Sequence, residues 1–123
     1  MASARTGIHR LMTTFRLTGR EVGPTQRVLQ VHGELGLVDV DRLQEALEEV
    51  AATARLVVVG LEGCEFIDSI ALAALLRARD RLAEDGSRLV IAGATGQVRR
   101  VIEVSGLDLQ GFLFDSVDQA LSK

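Results

Sequence analysis

Two hydrophobic periods alternate along the chain. "FRLTGREV" (Phe15 to Val22) and "RVLQVHGEL" (Arg27 to Leu35) read as strands, joined by a turn at Gly23-Pro24. Past them the period lengthens. In "VDVDRLQEALEEVAATA", Leu43, Ala46, Leu47, Val50 and Ala54 share one helical face, and Asp39 is placed to serve as N-cap. "RLVVVGLEG" (Arg55 to Gly63) is a continuous apolar run, as expected of a strand buried on both faces. "EFIDSIALAALLRAR" (Glu65 to Arg79) then passes from the end of a hydrophobic strand straight into a helix. Leu72, Leu75, Leu76 and Leu82 of that helix point inward, and Gly86 closes it. "RLVIAG" is a second buried strand, so residues 55–93 form a βαβ unit of parallel strands.

The remainder follows the same rhythm. "TGQVRRVIEVSGL" makes a short helix with Val98, Val101 and Ile102 inward, Gly106 in a left-handed cap position and Leu107 packing back on the last turn. "FLF" is a final strand, and "SVDQAL" opens the last helix with a capping box of Ser116 and Gln119. The order β-β-α-β-α-β-α-β-α predicts an α/β fold, a small sheet with about four helices packed on it. Residues 1–11 read as a loose leader, and the domain is placed at 12–123.

Composition narrows the function more than the fold. The chain has 123 residues, 47% of them hydrophobic and 25% charged, which suits one soluble globular domain. A net charge of −3 and the absence of Trp and Tyr argue against nucleic acid. Basic residues are interspersed with acidic ones, so no membrane-attracting patch forms. Arg5, Arg10 and Arg16 interrupt any apolar leader, and neither a signal peptide nor a spanning segment is expected. The single cysteine, Cys64, cannot form an internal disulfide and leaves a metal site short of thiolates. A reduced, cytoplasmic setting follows.

Candidate chemistry is sparse. Ser69 lies where a strand turns into a helix, but "IDSIA" lacks the Gly-x-Ser-x-Gly elbow, and the histidines, His9 and His32, fall in the leader and an early strand. "GATGQV" (Gly93 to Val98) sits where a phosphate loop would, yet lacks the third glycine of the dinucleotide pattern and the Lys-Ser/Thr of the P-loop. It reads as a tight turn capped by Thr95 or Gly96. Glu45, Glu48, Glu49, Asp80, Glu84 and Asp85 alternate with arginine on solvated helix faces. Cys64 reads as a small core residue. No enzyme and no cofactor are expected.

"VLQVHGELGLVDVDRL", "LVVVGLEGCEFIDSIALAALL", "RLVIAGATGQVRRVIEVSGL" and "FDSVDQAL" together resemble the STAS domain of bacterial anti-sigma factor antagonists, from about Phe15 to the C-terminus. The resemblance implies a mixed sheet with helices packed on it and a partner-switching role. The unmodified domain binds an anti-sigma factor, a serine kinase of the ATPase fold, and frees a sigma factor; phosphorylation of one serine breaks the complex. In the family's Asp-Ser-Ser/Thr-Gly-Leu string the second hydroxyl is modified. Here the string is Asp68-Ser69-Ile70-Ala71-Leu72, so Ile70 occupies the acceptor position and Ala71 replaces glycine. Gly36 stands where Asp is common, and Gly60 where strand three usually carries Asp or Asn. Ser69 then reads as the helix cap beside a vacant switch. The resemblance places the partner surface at Glu34, Gly36, Asp39, Ser69, Ile70 and Ala71. It leaves two regulatory roles open: an antagonist without the usual switch, or a scaffold in another assembly, such as a stressosome-like complex or the cytoplasmic part of a lipid transporter.

Overall fold

The computed structural model describes residues 15–106 and 109–122. Strands β1 (Phe15–Glu21) and β2 (Gln26–Leu35) form the antiparallel hairpin that the turn at Gly23-Pro24 predicts. A single 3-10 turn (Leu37–Asp39) leads into helix α1 (Val40–Ala51), followed by β3 (Leu56–Ile67) and helix α2 (Ser69–Glu84). Then come β4 (Arg88–Ala92), α3 (Gly96–Val104), β5 (Leu113–Phe114) and α4 (Val117–Leu121). Among the described residues the strands make one five-stranded mixed sheet in the order β1-β2-β3-β4-β5, parallel from β2 onward. The predicted βαβ unit is present, with Leu56 opposite Arg88 and Gly60 opposite Ala92.

Burial divides the sheet into two unequal sides. Phe15, Leu29, Val31, Val57, Val59, Leu61 and Leu89 face the side covered by α1, α2 and α3 and join Leu43, Leu47, Leu75, Val98 and Ile102 in the main core. On the opposite side Val28, Val58, Val90 and Ala92 meet Val117 and Ala120 of the short α4. Alternate residues of β3 therefore enter two different cores, which is why its sequence reads as an unbroken apolar run. On the second side the side chain of Gln30 lies flat across Gly60, and a Cβ there would collide with its amide.

Helix α2 ends as its sequence predicts. Gly86 adopts φ +83°, donating to the Ala83 carbonyl at 3.1 Å while Ser87 N–H reaches the Leu82 carbonyl at 2.9 Å. These two bonds satisfy carbonyls that the helix leaves open. At the last helix Ser116 Oγ accepts from Gln119 N–H at 3.1 Å, but the Gln119 side chain accepts from Asp115 N–H rather than from Ser116. Only half of the predicted capping box forms.

Other departures are local. β3 runs four residues beyond the predicted Gly63, to Ile67, because β2 continues beside it through irregular register near His32 and Gly33. Leu76 is half-buried rather than fully inward, and Ala54 is buried just after α1 has ended. Asp39 does not cap α1 with its side chain; its Oδ2 instead accepts from Gly36 N–H at 3.1 Å, closing the 3-10 turn. The predicted packing of Leu107 and the leader at 1–11 lie outside the described residues.

Leu75 is fully buried, whereas Leu76 keeps part of its surface in water. Leu75→Ala should therefore cost about 2–5 kcal/mol, with Leu76→Ala at or below the lower end of that range, as measured by urea unfolding.

Candidate functional site

The end of β3 stands clear of its neighbour β4. Pairing with β4 stops at Gly60, yet β3 continues to Ile67 with β2 as its strand partner. The peptide at Ile67 needs partners on its other edge. Gln97, in the first turn of α3, supplies both: its Oε1 accepts from Ile67 N–H at 3.0 Å and its Nε2 donates to the Ile67 carbonyl at 3.0 Å. One amide side chain thus imitates a strand. No sequence reading singled out Gln97. The available signal was an amide within "GATGQV", at the mouth of a βα turn beside a strand that outlasts its neighbour.

Asp68 follows immediately, in extended conformation, with its N–H on the Leu35 carbonyl at 3.3 Å. Its carboxylate has two tasks. Oδ1 accepts from Ala71 N–H at 2.8 Å and so caps α2, while Oδ2 accepts from Leu37 N–H at 2.9 Å and holds the 3-10 turn. Gly36 makes room for this approach, since a Cβ there would lie 3.2 Å from Oδ2. Asp68, not Ser69, is therefore the cap. Ser69 is the first helical residue and exposed, and its hydroxyl has no hydrogen-bond partner among the described residues.

Around this junction the surface is apolar. Leu37 is 59% exposed, Val38 70%, Phe66 42% and Ile70 47%. Of the other large apolar side chains among the described residues, only Val22 and Val104 are comparably open. Such clustering marks contact surfaces, whereas scattered exposed leucines mark nothing. Leu37, Val38 and Phe66 line an open groove of about 250 Å³ with Glu34, Gly36, Asp39 and Asp68. Small-molecule sites are usually larger and more enclosed, roughly 300–1,000 Å³.

The residues predicted for partner contact divide. Glu34, Ser69 and Ile70 are exposed, and Gly36 lines the groove. Asp39 is buried, with one carboxylate oxygen spent on Gly36. Ala71 is a correction. It is fully buried and packs in the main core, because a helix residue two places past an exposed N-terminal position turns toward the sheet. Its side chain cannot meet a partner.

The other candidate groups lie apart from any reactive arrangement. Cys64 is buried in the main core and its thiol donates to the Phe66 carbonyl at 3.3 Å. Burial, with the Glu65 charge adding to it, pushes that thiol up to about 11. His32 shares a 3.2 Å contact with Thr18 Oγ1. Thr95 occupies the N-cap position of α3 without a side-chain bond. No group of three or more His, Cys, Asp or Glu among the described residues is arranged to hold a metal ion, and none of the described helices is long and apolar enough to cross a membrane.

A strand-to-helix junction bearing the Asp68-Ser69 pair, on a five-stranded mixed sheet with four helices, makes this a small α/β domain of one recognisable class. The chain belongs to the STAS family: the family model described as the Mlab STAS domain matches residues 18–114. Among curated relatives, the anti-sigma-F factor antagonist RsfB of Mycobacterium tuberculosis is 31% identical over 96 residues, covering 77% of this chain and 78% of that protein. A STAS-domain containing protein of Pseudomonas aeruginosa is 29% identical over 80 residues, 65% of this chain and 79% of the relative. Among solved structures, an anti-sigma factor antagonist from Mycobacterium paratuberculosis superposes with a TM-score of 0.75 at 27% identity, covering 88% of this chain and 92% of that one.

Two expectations follow from this geometry. Gln97→Ala leaves the Ile67 peptide without both side-chain bonds and should cost about 1–3 kcal/mol by urea unfolding. Cys64 should resist iodoacetamide at pH 8 in the native protein and react readily in urea. Its folded-state value lies above that of an unfolded thiol, so its contribution to stability is complete below about pH 9 and is lost as pH rises toward about 11. Cys64→Ala should flatten that part of the stability profile.

Proposed function

We propose that this protein is a cytoplasmic anti-sigma factor antagonist that acts by binding rather than catalysis. Its partner is an anti-sigma factor, a serine kinase of the ATPase fold, and occupying that partner releases a sigma factor. The observation that carries the reading is the exposed apolar surface of Leu37, Val38 and Phe66 in the groove beside Asp68, with Ile70 exposed on the first turn of the helix that Asp68 caps. The similarity to RsfB supports it. Burying large apolar side chains of this kind contributes about 1.5–3 kcal/mol each before association costs, and Glu34 on the rim favours a partner with basic groups.

In this reading Ile70 alters the control of the module. A phosphate on a hydroxyl there would place about two negative charges in the middle of the apolar face and disfavour the docked partner. Isoleucine has no oxygen to accept the phosphoryl group. It adds apolar surface where the family carries the switch, so binding persists without that form of control. Ile70 also favours a second reading, a STAS scaffold of another assembly such as a stressosome-like complex or a lipid transporter's cytoplasmic subunit. Such a role needs the surface and not the acceptor.

A pull-down from the protein's own cells separates the two: an ATPase-fold anti-sigma kinase supports the antagonist, and a transporter ATPase supports the scaffold. Mixed with its kinase and ATP, the wild-type protein should stay unmodified. Ile70→Ser, a mild change at a half-exposed first-turn position, should accept phosphate on residue 70. Mass spectrometry finding stoichiometric phosphate on Ser69 of the wild type, abolished by Ser69→Ala, would overturn the account of a vacant switch.

A further inference from the structure

The apolar face comes from two segments distant in sequence. Ile70 stands on the first turn of α2, whereas Leu37 and Val38 stand on a 3-10 turn of three residues. A turn that short does not persist by itself, least of all with two large apolar side chains directed into water. Internally it has the Asp39 N–H bond to the Gly36 carbonyl at 2.9 Å and the Asp39 carboxylate on Gly36 N–H. Neither bond fixes the turn relative to α2. The strand entering the turn is tied to Asp68 through the Asp68 N–H on the Leu35 carbonyl, but the bond from the turn itself is Leu37 N–H to Asp68 Oδ2, 2.9 Å long, made by the carboxylate whose other oxygen caps α2.

We propose that Asp68 is a positioning residue for partner binding: its two carboxylate oxygens lock the 36–39 turn to the first turn of α2, so that Leu37, Val38 and Ile70 meet a partner as one preformed face. The proposal rests on the antagonist reading for the partner's identity, but the clamp itself is a property of the free chain. The chemistry requires a carboxylate. Both groups that Asp68 meets are N–H donors, so both of its facing atoms must be acceptors. An asparagine offers one acceptor oxygen and one NH₂ donor, and it can satisfy only one of the two. Asparagine is also among the best helix caps. Asp68→Asn therefore keeps the helix end and releases the turn, whereas Asp68→Ala loses both. Ordering a loose turn at the moment of binding would be paid out of the affinity, which a preformed face avoids.

Amide hydrogen exchange by NMR on the full chain tests the clamp. In Asp68→Asn the Leu37 amide should exchange about ten- to a hundredfold faster than in wild type, the factor expected from losing a hydrogen bond to a charged group, while Ala71 stays within about threefold. In Asp68→Ala both amides should accelerate. An unchanged Leu37 rate in Asp68→Asn, or an equal acceleration of Ala71, would overturn the clamp. Should that variant not fold, Gly36→Ala gives the same readout, because its Cβ would crowd Oδ2 at 3.2 Å and should speed Leu37 exchange while leaving Ala71 protected. The anti-sigma kinase should bind Asp68→Asn about tenfold more weakly than wild type, and equal Kd values would overturn the positioning role. A wild-type chain that binds no such kinase defeats the proposed function instead, and the exchange rates then decide the clamp alone.

Discussion

β3 has no face to spare. Val57, Val59 and Leu61 enter one core and Val58 enters the other, while β2 and β4 flank the strand's first half. A strand enclosed in this way fixes where everything else goes. Helices must cover both sides of the sheet, and the parallel crossovers must carry α1 and α2 to the same side. The strand is also longer than β4 and projects beyond it. The projection brings Phe66 and Asp68 to the rim on either side of Ile67, which stays buried in the main core while its backbone needs the polar cap that Gln97 supplies. The site is what the core's longest strand becomes once it outruns β4.

Most of this architecture was legible because it rests on periodicity. The change from a two-residue to a three-to-four-residue repeat marks α1, and the unbroken "RLVVVGLEG" marks a strand buried on both sides. Gly86 is where the end of α2 requires a left-handed residue. The site was less legible, because its assignments depend on which of several adjacent polar groups reaches a given N–H. Asp68 and Ser69 are both good caps by propensity. Only the extended conformation of Asp68 and its proximity to Leu37, 31 residues away in sequence, select the carboxylate. Gln97 was invisible for the same reason, since its partner lies 30 residues away. Ala71 was misplaced because family position was read as exposure, whereas the helix turns its side chain into the core.

Three groups converge on the Ile67–Asp68 link from three different elements: Gln97 from α3, the Leu35 carbonyl from β2, and the Leu37 N–H from the 3-10 turn. None is an ion pair. The ion pairs lie elsewhere, on exposed surface, such as Arg81 with Glu48 at 2.8 Å between α2 and α1. Exposed pairs contribute little and weaken with salt. The rim that supports the apolar face is held instead by directional bonds to backbone, which ionic strength affects far less.

Gln30 lying across Gly60 ties two positions on neighbouring strands into a single choice. A side chain at 60 needs the space that the Gln30 amide fills, and a smaller residue at 30 would leave bare backbone beneath it. Related chains should therefore vary at 30 and 60 together: a long side chain opposite glycine, or a short one opposite the Asp or Asn usual in the family. An exchange at either position alone passes through an overcrowded or an underfilled intermediate. The pair is thus a barrier in sequence space as well as a contact in the sheet.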